Sequence, residues 1–325
     1  MPLSSSIVLC TFNGVRYLPM LWESLLAQSR RPDEIVVRDD ASTDGTPGLL
    51  ETLREAAETR GISVRVLLNE KNVGYVSNFE AALRDASGDV LFLCDQDDVW
   101  HSHKVARQLE EFEKHSELLF LCGDARRVDT SGADLGRSLF ATLRVTRAEL
   151  KKIHRGHGFE VLLRRNLATG ATAALRHSLL QNSLPFPACW IHDEWLAIMA
   201  GAFDGFDCLD QALVDYRQHD ANQLGMPERS LGEKWDGLRN TGASMIDNLL
   251  ERGEVLLKRL RETRGVKAEY LALAAEKLDH LGIRRSLRGT PWRRLRDTLS
   301  ETLNGRYRRY SSGWHSLLRD LIRRS

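Results

Sequence analysis

No apolar run in this 325-residue sequence approaches the roughly 18 residues that a membrane-spanning helix needs. The opening MPLSSSIVLCTF lacks a basic start, and its apolar stretch is too short for a secretory leader. The five cysteines, at 10, 94, 122, 189 and 208, are odd in number and never spaced C-x-x-C. Cys10, Cys94 and Cys122 lie in apolar, strand-like runs and read as reduced core residues. These absences point to a cytoplasmic protein, either free or held peripherally on the inner face of the cell membrane. Several signatures are missing too. No G-x-G-x-x-G follows the first strand-like run, and no G-x-x-x-x-G-K-[ST], G-x-S-x-G or H-E-x-x-H occurs. A dinucleotide-binding Rossmann unit, a P-loop, a nucleophile elbow and a zincin helix are therefore not expected. There is no internal repeat and no low-complexity linker.

The net charge of +1 hides a division. From Arg284 to Ser325 there are twelve arginines and no lysine against Asp297, Glu301 and Asp320, a balance of +9, so the first 283 residues carry −8. A basic tail on an acidic body either meets an anionic surface, membrane or nucleic acid, or is a set of solvated helix faces.

What is present is an alternation. SIVLCTF, EIVVRDD, SVRVLLNE, DVLFLCD and LLFLCGDARRVD read as short buried strands. Between them lie helical stretches: one carrying Leu18, Leu21, Leu25 and Leu26, then TPGLLETLREAAETR, VSNFEAALRDAS and HKVARQLEEFEKH. Thr43 or Asp44 is the expected N-cap of the second. This pattern predicts an α/β fold, a mostly parallel sheet with helices on both faces. Residues 131–225 are less regular. The tail has no strand signal and reads as helices over 228–263, 266–287, 291–303 and 306–323. The expected division is a catalytic domain over 1–226 and a helical, basic region over 227–325.

In such sheets ligands bind outside the carboxyl ends of the strands. Here those ends carry TFN, Asp39-Asp40, NEKNVG and DQDD. Asp95, Asp97 and Asp98 place three carboxylates in four residues, a charge cluster that repels itself. It is either a cation site or a solvated acidic turn before a helix. A divalent metal with hard oxygen ligands would hold a diphosphate where no P-loop exists.

The ordered set IVLCTFNGVRYLPMLWESLLAQSRRPDEIVVRDDASTDGT, NVGYVSNFEAAL and GDVLFLCDQDDVWHSHKV resembles the family 2 glycosyltransferases of the GT-A fold. The likeness covers about residues 5–225. It implies that Phe12 stacks on the nucleotide base and that Asp40 accepts a hydrogen bond from a pyrimidine, with Asn13 and Asp39 nearby. Asn72 and Gly74 of NVG join that nucleotide site. Asp95 and Asp97 form the D-x-D, extended by Asp98, which holds Mg²⁺ or Mn²⁺ on the diphosphate and touches the ribose. Which of the three acids binds the ion stays open.

In WIHDEWLA the resemblance makes Asp193 the general base of inverting transfer. Asp193 also suits a helix N-cap, and both roles can coexist. The family has two acids in tandem there, whereas His192 precedes Asp193, which leaves Glu194 as an alternative. In DYRQHDANQLG, similar to rhamnosyltransferase-like enzymes, His219 is a candidate metal ligand, and imidazole suits Mn²⁺ better than Mg²⁺. It reads equally as a loop histidine. Arg217 either pairs with the diphosphate or forms a surface salt bridge. Thr169 and Gly170 of NLATGATA fall on the family's acceptor-side loop or on a mere turn.

In the tail, Trp314, Leu317, Leu318, Leu321 and Ile322 share a helical face among arginines. That face lies in a membrane interface, packs on the catalytic domain, or meets a second subunit. The expected activity is metal-dependent, inverting transfer from a dTDP- or UDP-sugar, dTDP-L-rhamnose first, to a saccharide or lipid-linked acceptor in bacterial polysaccharide or lipopolysaccharide synthesis. Nucleic acid is not an expected partner; a homo-oligomer is an open one. The rivals are a nucleotidyltransferase that makes nucleotide sugars and a non-catalytic nucleotide- or membrane-binding module. The first would show a Gly-rich basic loop where CTFNGVRYLPML stands. The second would not need Asp95, Asp97, Asp98 and Asp193 together.

Overall fold

The structure, a computed structural model, describes residues 2–219, 242–287 and 291–322. The expected domain boundary at 226/227, the helix start near 228 and the turn at Gly289-Thr290 lie outside the described residues. The chain runs β1 (Ser5–Thr11), α1 (Leu18–Leu26), β2 (Glu34–Asp39), α2 (Thr46–Glu58), β3 (Ser63–Leu68), α3 (Tyr75–Asp85), β4 (Val90–Asp95), β5 (Val99–Trp100) and α4 (Lys104–Lys114). It continues through β6 (Phe120–Val128), β7 (Asp134–Ser138), α5 (Leu139–Thr142), α6 (Arg147–Ile153), α7 (Gly158–Arg164), β8 (Ala174–Arg176), α8 (Leu180–Ser183), α9 (His192–Gly201) and β9 (Phe206–Arg217). The helices α10 (Gly242–Glu262), α11 (Ala268–Ser286), α12 (Pro291–Leu303), α13 (Arg306–Tyr310) and α14 (Trp314–Ile322) follow.

Two compact units result. The first holds the chain up to Gly158 and from Leu167 through β9. Its sheet has the order β3-β2-β1-β4-β8-β6-β9-β5, with β7 paired to β6. The strands β3, β2, β1 and β4 are parallel, β8 runs antiparallel to both β4 and β6, and β9 is parallel to β6. The mostly parallel α/β sheet read from the alternation is therefore present. Ile7–Leu9, Ile35–Val37 and Leu91–Leu93 are all buried, as strands covered on both faces must be. Proline in the first turn helps open both α1 and α2. At α2 the N-cap is Gly45, while Asp44 Oδ1 accepts the Thr46 N–H at 2.9 Å.

GFEVLLRRNLATGATAALRHSLL reads in sequence as helix, loop, strand and helix, and β8 is that strand; the two-residue β5 and the long β9 carried no clear periodic signal. Cys94, Cys122 and Cys208 are buried, whereas Cys10 is partly exposed. Cys122 and Cys208 stand in register on β6 and β9 with their sulfurs 3.4 Å apart. From β1 the chain winds outward to β2 and β3, then returns to β1's other side as β4. The order reverses there, and Cys10 pairs with Asp95 at the carboxyl ends of the two strands. Such a reversal opens the crevice where α/β sheets bind ligands.

The second unit takes Phe159–Asn166 and the C-terminal helices. Residues of α7, placed in the first domain by sequence, belong here for a physical reason. Phe159 packs on the Tyr270 ring at 4.5 Å, and Lys277 Nζ donates to the Leu163 carbonyl at 2.6 Å. Leu256, Leu260, Leu281, Tyr307 and Tyr310 build this unit's core. The helix expected over 306–323 is two helices. Ser311 leaves α13 in an extended conformation, and Gly313, at φ 55°, turns the chain into α14. No described helix is long and apolar enough to cross a membrane.

Candidate active site

Asp39, the last residue of β2, and Asp40 just after it are buried, and each ties loops together. Asp39 accepts from the hydroxyls of Thr11 and Ser42 at 2.7 and 2.6 Å and from the Ser42 N–H at 2.8 Å. Asp40 accepts from Val73 N, Gly74 N and Asn69 Nδ2, each at 2.9 Å. Asn72 Oδ1 takes a second bond from Gly74 N at 3.1 Å, and Gly74 opens α3 at a φ of 83° that only glycine adopts easily. Asn13 joins the β1 and β2 ends, accepting the Thr43 N–H at 2.9 Å and donating to Ser42 Oγ at 2.8 Å. Three strand ends are thus clasped together, with the Phe12 ring exposed among them. Asp40's carboxylate is engaged with three of the protein's own donors.

Gln96 went unnoticed in the sequence. Its side-chain amide accepts the Phe12 N–H and donates to the Phe12 carbonyl, both at 2.9 Å, stitching the DQDD loop to β1. Gly14 makes room for it: a Cβ there would stand 2.1 Å from Gln96 Oε1.

The acids beyond β4 crowd one another. Burial first, then Asp97 and Asp193, push the Asp95 carboxyl up to about 7. Asp98 is buried and pushed well above the ordinary range, by desolvation and then by Asp97 and Asp95. Its Oδ1 accepts the Arg217 N–H at 3.0 Å, while its buried Oδ2 has no partner among the described residues. Tyr216 senses all four carboxylates: after burial, Asp98, Asp95, Asp97 and Asp193 raise its phenol. Lys104, fully buried, places Nζ 2.8 Å from the Ala171 carbonyl and 3.4 Å from the Trp100 ring centre, and desolvation lowers it to about 7. A charged residue sharing the apolar face of α4 with Gln108 and Leu109 was its signal in the sequence.

Pairing of β5 with β9, Val99 opposite Asp215, brings the end of β9 against this loop. His219 Nε2 lies 2.7 Å from Asp97 Oδ2, and its ring stacks on Tyr17 at 5.1 Å. Arg217 is buried. Its guanidinium donates to the carbonyls of Asp97, Asp129 and Thr130 at 2.8, 3.2 and 3.2 Å, a clamp on the acid loop.

Whether these residues suit a divalent cation is decided by their chemistry. Among the described residues no three His, Cys, Asp or Glu side chains form a ready cage. Even so, Asp97 and His219 touch, and Asp98 keeps a buried, unpartnered carboxylate oxygen. Hard oxygens with one imidazole fit Mg²⁺ or Mn²⁺, and a dication would relieve the repulsion that raises Asp95 and Asp98.

Asp193 stands in the first turn of α9, where carboxylates are favoured. Its Oδ2 accepts the Gly170 N–H and its Oδ1 the Glu194 N–H, both at 2.7 Å. Gly170 opens a one-turn 3₁₀ helix after Thr169, and Thr172 folds back on the Thr169 carbonyl. His192 is buried flat on Phe79, ring centres 4.1 Å apart, with neither nitrogen bonded. Burial holds its pKa down to about 3, so this imidazole is neutral. Tyr75 meets its edge at 6.1 Å, and Asp193 and Glu194 are near enough to help raise the Tyr75 phenol. Asp95, Asp97, Asp98, Asp193, Tyr75, His192 and His219 thus gather within one unit, although they span 145 positions of the chain.

The pattern of glycosyl transferase family 2 matches residues 6–172. The chain is 26% identical over 320 residues to an uncharacterised protein of Mycobacterium tuberculosis, covering 92% of this chain and 88% of that one. It is 24% identical over 261 residues to the Escherichia coli UDP-Glc:alpha-D-GlcNAc-diphosphoundecaprenol beta-1,3-glucosyltransferase WfgD, covering 78% of this chain and 90% of WfgD. The structure of S. aureus TarS with UDP-GlcNAc superposes at a TM-score of 0.59 and 18% identity, covering 86% of this chain and 72% of that one. With the family's pattern spanning half its length on a sheet of that fold, the chain belongs to glycosyl transferase family 2.

Proposed function

We propose that this glycosyltransferase moves a sugar from a nucleoside diphosphate to a hydroxyl of a saccharide or lipid-linked acceptor, with inversion, in bacterial surface polysaccharide or lipopolysaccharide assembly. The observation that carries the reading is the convergence of Asp95, Asp97, Asp98 and Asp193 where the strand order reverses, beside the exposed ring of Phe12. WfgD's name describes transfer from UDP-glucose to a diphosphoundecaprenol-linked sugar, and TarS was seen with UDP-GlcNAc. Both support a UDP- or dTDP-sugar; the local likeness of DYRQH keeps dTDP-L-rhamnose in the set.

Phe12 would take the base on its face, with Asn13, Asp39, Asp40, Asn72 and Gly74 shaping the loop around it. Asp95 would meet the ribose. Asp97, Asp98 and His219 would hold Mg²⁺ or Mn²⁺, which when bound stabilises negative charge on the leaving diphosphate. Asp193, its carboxylate oriented by two main-chain N–H groups, would take the acceptor's hydroxyl proton. That oxygen bonds to the anomeric carbon as the sugar–phosphate bond opposite it breaks. Thr169, Gly170, His192 and Glu194 lie beside Asp193 and would contact the acceptor. Arg217 would act by holding the acid loop rather than by pairing with phosphate.

A thermal-shift panel of UDP, dTDP, GDP and CDP, each with and without Mn²⁺, tests the reading. A ligand at 100 times its Kd stabilises the fold by about 2.7 kcal/mol. One pyrimidine diphosphate should raise the melting temperature only with the metal, and Asp97→Asn should abolish the rise. Equal silence from all four nucleotides would sink the proposal.

A further inference from the structure

Six large apolar side chains left in solvent fall between Leu295 and Leu321, and they are ordered. Leu295, Leu299 and Leu303 stand at i, i+4 and i+8 on α12; Trp314, Leu318 and Leu321 stand at i, i+4 and i+7 on α14. Each helix therefore shows solvent one apolar row, with Leu303 86% and Trp314 73% exposed. These are not the faces that hold the unit together. Thr298 and Glu301 on α12, and Leu317 and Asp320 on α14, are buried instead. The single face read from sequence over 314–322 thus divides, with Leu317 inward and Trp314, Leu318 and Leu321 outward.

The charges are sorted too. Glu301 is buried against His280 and Arg306, and Asp320 against Arg284 and Tyr307. Of the three acids after Arg284, only Asp297 remains near solvent, paired with exposed Arg296; exposed Arg309 pairs with Glu276, and Arg308 is exposed beside it. The outer surface is consequently more basic than the composition says.

We infer that α12 and α14 dock this protein on an anionic phospholipid membrane, with both apolar rows in the headgroup–acyl boundary and the arginines on lipid phosphates. Charge complementarity selects this occupant. A second copy would face arginine with arginine across a twofold axis, and a nucleic acid backbone offers the leucine rows nothing to bury against. The inference rests on the proposed transfer only for its purpose, since a lipid-linked acceptor would be met on the same surface.

The test is co-sedimentation of the full-length chain with vesicles of equal parts phosphatidylglycerol and phosphatidylcholine, and with phosphatidylcholine alone. No sugar donor is present, so failure here and failure of the transfer reading are separate results. Binding is expected to the anionic vesicles and to weaken with salt. Leu303→Asp with Trp314→Ala should lower it at least about tenfold, because burying one such side chain is worth roughly that factor. Both positions are exposed, so the melting temperature should hold; Leu299→Asp with Leu318→Asp gives an independent pair. No binding to anionic vesicles, or binding that both pairs leave unchanged, overturns the inference. A concentration-dependent dimer that the same pairs dissociate, without vesicle binding, would assign the rows to a second copy and overturn it equally.

Discussion

In the C-terminal helices, Arg284 Nε meets Asp320 Oδ2 at 2.6 Å and Tyr307 donates to the same carboxylate at 2.8 Å. His280 Nδ1 lies 2.6 Å from Glu301 Oε2, and its other nitrogen reaches Ser311. At the strand ends of the α/β unit Asp98 and Asp193 are buried and Asp95 and Asp97 partly so, but the pairing differs. Asp95, Asp97, Asp98 and Asp193 lean on one another, one oxygen of Asp98 has no partner among the described residues, and nearby Lys104 is lowered to about 7 by burial. Folding alone explains the first arrangement, because each charge brings its own counter-charge. The second is where the proposed cation would add a counter-charge. A protein shows where it expects a ligand by where it leaves charge unbalanced.

That contrast can be broken at either end. The largest effect is expected at the catalytic end: Asp193→Asn should lower sugar transfer by about 10²–10⁴. The metal-dependent nucleotide shift should stay, since the proposed role puts Asp193 on the acceptor side. Loss of the shift together with activity would make Asp193 part of the donor site instead. In the helices, Asp320→Ala should leave Arg284 buried without its carboxylate and cost roughly 3–5 kcal/mol in denaturant unfolding of that unit, with the nucleotide shift intact. A cost near zero would mean the pair is not sealed from water.

The last effect concerns pH and has opposite signs in the two units. Asp95 has a folded pKa near 7, above the ~3.9 of an unfolded aspartate. The folded state therefore keeps a proton that the unfolded state has lost, and this contribution to stability falls as pH rises from about 4 to about 7. Without metal, Asp95→Asn should melt above the parent at pH 8 and converge with it near pH 4. A constant gap would show that Asp95 is not titrating in the cluster. His280 runs the other way. Burial lowers its pKa, so the helical unit loses stability as pH falls below the ordinary histidine value of about 6.5.

Much of the fold was legible because parallel strands buried on both faces must be continuous apolar runs. SIVLC, EIVV and VLFLC announced β1, β2 and β4 in this way. The strand within NLATGATAALRHSLL was expected and is β8; the short β5 stayed hidden, since two residues carry no period, and long β9 was missed although Phe206, Cys208, Leu213 and Val214 are buried along it. The acids at the strand ends were readable as a group. The roles of Asp39, Asp40 and Arg217 in tying loops together were not, because a sequence lists donors and acceptors without saying which meet. Gln96 and Gly14 were missed for the same reason.

The first four strands with the helices between them, the acidic strand ends and the basic tail were determined by the sequence alone, because periodicity and composition act over a few neighbouring residues. Tertiary structure alone decided that His219 meets Asp97 across 122 positions. It also decided that Gly170 orients Asp193, and that Glu301 and Asp320 turn inward while the leucines of α12 face water. Those outcomes depend on which surfaces pack together, and burial, not spacing along the chain, sets how strongly charges feel one another.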